Sequence, residues 1–132
     1  MVETLSDIGS KEVKHKAVTN VLSIANGADT GLVELVPQVT VKRIVVIGFK
    51  FTGLSLTEIL GGEQTTQVEF FSGSTVLTGK WQGTFDWIMD AGYNPDGHFQ
   101  TEKNEALNYK ITNTHSTPIT CGLEVILSYI EK

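Results

Sequence analysis

Residues 117–130, "TPITCGLEVILSYI", place Ile119, Cys121, Leu123, Val125, Leu127 and Tyr129 on one side of an extended chain. A period of two in β-branched and aromatic residues is the mark of a half-buried strand. The opposite side carries Ile126 and Ile130, so this strand is apolar on its second face as well. The same period returns along most of the chain. In "VTVKRIVVIGFKFTG" (39–53), Val39, Val41, Val45, Ile47, Phe49 and Phe51 share one parity, broken by Arg43. Ile44 and Val46 interrupt the polar parity of Thr40, Lys42, Lys50 and Thr52. "ALNYKIT" sets Leu107, Tyr109 and Ile111 against Asn108, Lys110 and Thr112, and "WQGTFDWIMD" sets Trp81, Phe85, Trp87 and Met89 against Gln82, Thr84, Asp86 and Asp90.

Shorter runs, "GLVELV" before Pro37 and "TQVEFF" before "SGS", read as further strands. The first segment, "EVKHKAVTNVLSIA", fits either period, but it continues into "NGADTG", a hairpin-type turn that favours a strand. "LSLTEILGGEQ" reads as a loop with at most one helical turn. The expected fold is all-β: a single antiparallel β-sandwich or barrel of about eight strands. Its 132 residues suit one domain, divided into a flexible N-terminal arm (1–10) and a β-sandwich (11–132).

Composition narrows the function. A formal net charge of −5 disfavours nucleic acid and anionic membrane as partners, since both attract basic surfaces. No apolar run is long enough for a transmembrane helix, and the first residues lack the apolar core of a signal peptide, so synthesis and retention in a cytoplasm are expected. Cys121 is the only cysteine, which leaves no internal disulfide and no cysteine-based zinc cluster.

The candidate chemistry is sparse. His15, His98 and His115 are scattered, without the close histidine pair and carboxylate of a cupin-type metal site. Ser72 and Ser74 lie in "FSGST", which lacks the G-x-S-x-G pattern of a nucleophile elbow. Cys121 falls on the apolar parity of its strand, as a buried inert thiol does. Asp86 and Asp90 share a strand face, where a solvated surface explains them as well as a catalytic pair. No catalytic residue, metal ligand or cofactor site is assigned, and the expectation is a protein that is not an enzyme.

"GYNPDGHFQT" (92–101) is the sharpest local signal. Pro95 suits the second position of a β-turn, Asn94 can bond back to the chain, and Gly97 can take positive φ to leave it. Phe99 then points inward while His98 and Gln100 point out. The stretch reads as a structural corner made by Asn94, Pro95, Asp96, Gly97 and Phe99 rather than a site.

Two blocks carry a resemblance. Ser72, Gly73, Ser74, Thr75, Leu77, Thr78 and Gly79 form the first, and Asn94, Pro95, Asp96, Gly97, Phe99, Thr101, Glu105, Ala106 and Leu107 the second. With "VKRIVVIGF" before them, they resemble small tailed-bacteriophage and prophage virion proteins, over about residues 17 to 130. The chain departs from that pattern at "EKN" (102–104), where an Ala-Ala-Gly turn is usual. The resemblance implies a jelly-roll-like sandwich in a virion, as a capsid decoration or cement protein or a head-fibre or tail-associated component. The leading expectation is therefore a virion structural protein, made in the host cytoplasm. It would bind the major capsid protein and associate with itself, as a homotrimer, through the apolar second face at Ile126 and Ile130. The alternative is a carbohydrate- or receptor-binding module of a fibre or tail, with Trp81, Tyr93, His98 and Gln100 as its ligand face.

Overall fold

The computed structural model describes residues 12–55, 65–84, 87–114 and 118–132. Within them lie ten strands: β1 (Lys14–Ile24), β2 (Val33–Val36), β3 (Ile44–Ser55), β4 (Thr65–Ser72), β5 (Thr75–Val76), β6 (Trp81–Thr84), β7 (Trp87–Ala91), β8 (Phe99–Gln100), β9 (Leu107–Asn113) and β10 (Ile119–Glu131). They form two antiparallel sheets. The first runs β1-β10-β3-β7, with β8 also on β3, and the second runs β2-β9-β4-β5, with β6 also on β4. The expected arm at 1–10 and most of the expected loop at 54–64 fall outside the described residues.

Setting aside the two-residue β5 and β8 leaves eight strands. In chain order, the first pairs with the eighth, the second with the seventh, and the fourth with the fifth, while the third lies between the eighth and the sixth. This is a long hairpin rolled into two facing sheets, the jelly roll that the resemblance implied. The ambiguous first segment is a strand, and its eleven residues pair with β10 from Lys14↔Tyr129 to Ile24↔Ile119.

The core lies between the sheets. β9 buries Leu107, Tyr109, Ile111 and Asn113 on its inner face and leaves alternate residues partly exposed, as the period of two requires. Aromatic rings fill the centre: Phe51 meets Tyr109 at 5.4 Å and Phe70 meets Phe99 at 5.0 Å between ring centroids. Such pairs add stabilisation beyond the area that they bury.

Two strands depart from the sequence pattern. The run 39–53 is not one continuous face. Ile44 and Val46 belong to the main core together with Phe49 and Phe51, whereas Val45 and Ile47 form a second buried cluster with Ile130. Core-facing parity switches from even to odd, which requires an irregularity in the ladder. The β10–β3 register shifts between Ser128 and Tyr129, where Ser128 pairs with Gly48 and Tyr129 with Val46. A bulge of this kind inserts a residue and re-aims the side chains on either side. The run 81–90 also divides: β6 pairs with β4 in the second sheet and β7 with β3 in the first. The chain crosses between sheets there, so these residues do not share one face.

Val39 and Val41 precede β3 rather than extend it. Val41 has φ 62° and is largely exposed. Left-handed backbone costs an L-residue about 1–2 kcal/mol, and a β-branched one is a true outlier there. Its amide donates to Asn104 Oδ1 at 2.7 Å, which helps hold the turn. Val41→Asn keeps that amide and tolerates the conformation, so it should stabilise the fold by about 1 kcal/mol in urea unfolding.

Candidate functional site

The corner after β7 is built by its own residues. The Gly97 amide donates to the Asn94 carbonyl at 2.9 Å, which closes the turn around Pro95 and Asp96. Asn94 Oδ1 accepts the Asp96 amide at 3.0 Å, and its Nδ2 donates to the Gly97 carbonyl at 3.4 Å. Gly97 leaves the turn with φ 88°, as glycine can. The corner then fastens to β3: the Asn94 amide reaches the Ile47 carbonyl and the His98 amide the Val46 carbonyl, both at 2.8 Å. A Cβ placed on Gly97 would lie 2.5 Å from Val45 Cγ1, so the turn rests directly on the second buried cluster. Phe99 continues into β8 opposite Val46 and packs into the main core.

The two blocks that carry the phage resemblance meet in space. Ser72 Oγ donates to Glu105 Oε2 at 2.9 Å and accepts the Glu102 amide at 2.8 Å. The Gly73 amide donates to the Ala106 carbonyl at 2.9 Å, and Asn108 Nδ2 to the Gly73 carbonyl at 2.8 Å. Thr101 Oγ1 accepts the Ile44 amide, and Thr78 Oγ1 accepts the Phe70 amide. These motif residues satisfy backbone and side-chain groups of the fold. At the departure from the pattern, Asn104 stands at φ 64°, the left-handed position that the usual glycine would fill. Asparagine is the residue that most readily replaces glycine there.

The remaining candidates are dispersed. Ser72 is buried and Ser74 exposed. Cys121 is fully buried, and burial pushes its thiol above the ordinary range, so the nucleophilic thiolate is disfavoured. His15 is exposed on β1, with Nδ1 2.9 Å from Ser128 Oγ. His98 Nε2 lies 2.6 Å from the Gly92 carbonyl oxygen, and its ring packs edge-on against Phe49. His115 and Asp86 lie outside the described residues. Among the described residues, no three His, Cys, Asp or Glu side chains group as metal ligands would, and no helix is long and apolar enough to cross a membrane.

Two sequence assignments need correction. Trp81 does not stand exposed as Tyr93, His98 and Gln100 do. It is half-buried between the sheets, with ring centroids 5.6 Å from Phe70 and 6.0 Å from Phe49. Ile130 is not available to a partner: it is 8% exposed and packs with Val45 and Ile47 in the second buried cluster, on which the Gly97 corner rests. Tyr93, His98 and Gln100 are exposed.

The outer face of the first sheet presents four exposed apolar side chains among polar ones such as Lys50, Thr52, Asp90 and Glu124. Val21 is 66% exposed, Ile88 65%, Leu54 48% and Ile126 44%. Cross-strand register connects them. Val21 and Leu54 flank Gly122 in one row, Ile88 sits beside Thr52 in the next, and Ile126 sits beside Lys50 in the third. Of these four, Ile126 was singled out from the sequence, and Ile88 stood in the run crowded by Trp81, Phe85 and Trp87 that suits either core or a subunit interface. The other two were hidden because Leu54 opened an expected loop and Val21 fell in a segment that fitted two periods. A scan of the chain against protein-family models finds no match, and a search of curated proteins finds no relative.

Proposed function

We propose that this protein is a non-catalytic structural component of a bacteriophage virion, which associates with itself as a trimer and docks on the major capsid protein. The observation that carries the reading is the set of exposed apolar side chains Val21, Leu54, Ile88 and Ile126, spread over three rows of the outer face of the first sheet. Scattered apolar side chains are ordinary on a surface, but neighbours sharing one sheet face mark an interaction site. Burial of that face between copies removes it from water, and closed symmetry is the usual arrangement of identical chains. Three copies suit the local threefold positions of a capsid, and the placement in a virion rests on the resemblance of the two turn blocks. Assembly of this kind calls for no cofactor and no active site.

Electron microscopy of phage particles labelled with an antibody to this chain tests the placement. Label distributed over the capsid is the expected result, whereas label confined to the tail or absent from particles overturns it. The segment 1–10 is assigned to capsid contact. Its deletion should leave self-association intact and weaken attachment to capsids in a co-sedimentation assay.

A further inference from the structure

The outer face of the first sheet has a hollow away from the Val21–Leu54 row. Its volume is about 230 Å³, and its lining includes Gly48, Lys50, Asp90, Tyr93, Ile126 and Ser128. The register of the sheet explains why these residues meet. One row carries His15, Ser128 and Gly48, and the adjacent row carries Ala17, Ile126, Lys50 and Asp90. Gly48 contributes no side chain, although a Cβ there would approach nothing closer than the Ala91 carbonyl oxygen at 3.7 Å. The hollow is thus space left by a glycine that the backbone does not require. Tyr93, 70% exposed, stands at its edge.

The chemistry of the lining is specific. Lys50 and Asp90 face each other directly across β3 and β7, where Cβ atoms stand about 4.5–5.5 Å apart. No ion pair within 4.0 Å joins them among the described residues. Donors and an acceptor of opposite charge therefore lie side by side, and their charges cancel, so neither an anion nor a cation is selected. Ser128 Oγ adds a hydroxyl, held beside His15 Nδ1 at 2.9 Å. Ile126 supplies an apolar wall. The volume is below the roughly 300–1,000 Å³ of sites for drug-sized ligands and suits a single ring.

We propose that this hollow binds one neutral pyranose ring of a saccharide. The apolar C–H face of the sugar lies on Tyr93, whose ring offers a flat apolar surface. Two adjacent hydroxyls are shared between Asp90, which accepts, and Lys50, which donates. The Ser128 hydroxyl meets a third. A zwitterionic amino acid satisfies the same two charges but leaves the Tyr93 face uncovered. The site shares Ile126 with the proposed self-association face, so sugar binding and self-association are expected to compete at that wall.

The test is a titration of the full ¹⁵N-labelled chain with glucose, galactose, mannose and N-acetylglucosamine, followed by amide chemical shifts. At least one sugar should give saturable shifts centred on Gly48, Lys50, Ala91 and Tyr93. Tyr93→Ala, at an exposed position, should weaken that binding by about tenfold or more. Gly48→Ala should fold normally, because its Cβ meets only ordinary contacts, and should abolish binding by filling the floor. The proposal is overturned if no sugar gives saturable shifts, if binding survives both substitutions, or if glycine at equal concentration shifts the same amides.

Discussion

Gly97→Val is expected to destabilise the fold by about 3–4 kcal/mol while leaving it folded. Two costs combine. The residue sits at φ 88°, where a β-branched side chain is strained by about 1–3 kcal/mol. Its Cβ would also lie 2.5 Å from Val45 Cγ1, and Val45 is buried beside Ile47 and Ile130. Overpacking of a filled cluster costs a further 1–3 kcal/mol or so. Urea unfolding measures the sum, and the neighbours calibrate it. Asp96→Ala removes an exposed side chain from the same turn and should change stability by less than about 0.5 kcal/mol. His98→Ala loses one exposed hydrogen bond to the Gly92 carbonyl and should cost less than about 1 kcal/mol. A silent Gly97→Val would mean that the corner does not rest on β3 as described.

Ile130→Glu and Ile126→Glu, four residues apart on one strand, are expected to fail in different ways. Ile130 is enclosed by its own chain against Val45 and Ile47, so a carboxylate there is desolvated without a partner. The expected cost is about 4 kcal/mol or more, enough to unfold a marginal domain. Ile126 is exposed on the outer face, beside Lys50 in the ladder. Glutamate there should change the unfolding free energy of the separate chain by less than about 1 kcal/mol. It should instead weaken self-association by about a hundredfold or more, because an interface would have to desolvate the new charge. Circular dichroism with size-exclusion chromatography separates the two outcomes: loss of fold for Ile130→Glu, and retained fold with smaller particles for Ile126→Glu.

The contrast shows where the sequence was legible. Alternation announced β9 and β10 correctly because burial alternates along nearly all of each, and "NPDG" announced a turn because the needed backbone angles are written into proline and glycine. The bulge in β3 was not legible. "RIVVIGFK" is apolar on both parities, so nothing local marks where the core-facing set passes from Ile44 and Val46 to Phe49 and Phe51. Ile130 was misassigned because the cluster that encloses it joins it to Val45 and Ile47, more than eighty residues away in the chain. Trp81 was misassigned as an exposed ligand residue although its place on the apolar parity with Phe85, Trp87 and Met89 already pointed inward. The pairing of β1 with β10, more than a hundred residues apart in places, left no local trace. It entered only through the resemblance to phage jelly rolls. The hollow at Gly48 depends on that long-range register too, because it joins residues from β3, β7 and β10.

Native mass spectrometry of the purified chain at micromolar concentration tests most directly whether the outer face of the first sheet is an assembly surface. The expected spectrum is dominated by a trimer, which Ile126→Glu converts to a folded monomer. A wild-type chain that remains monomeric under those conditions would contradict self-association through Val21, Leu54, Ile88 and Ile126.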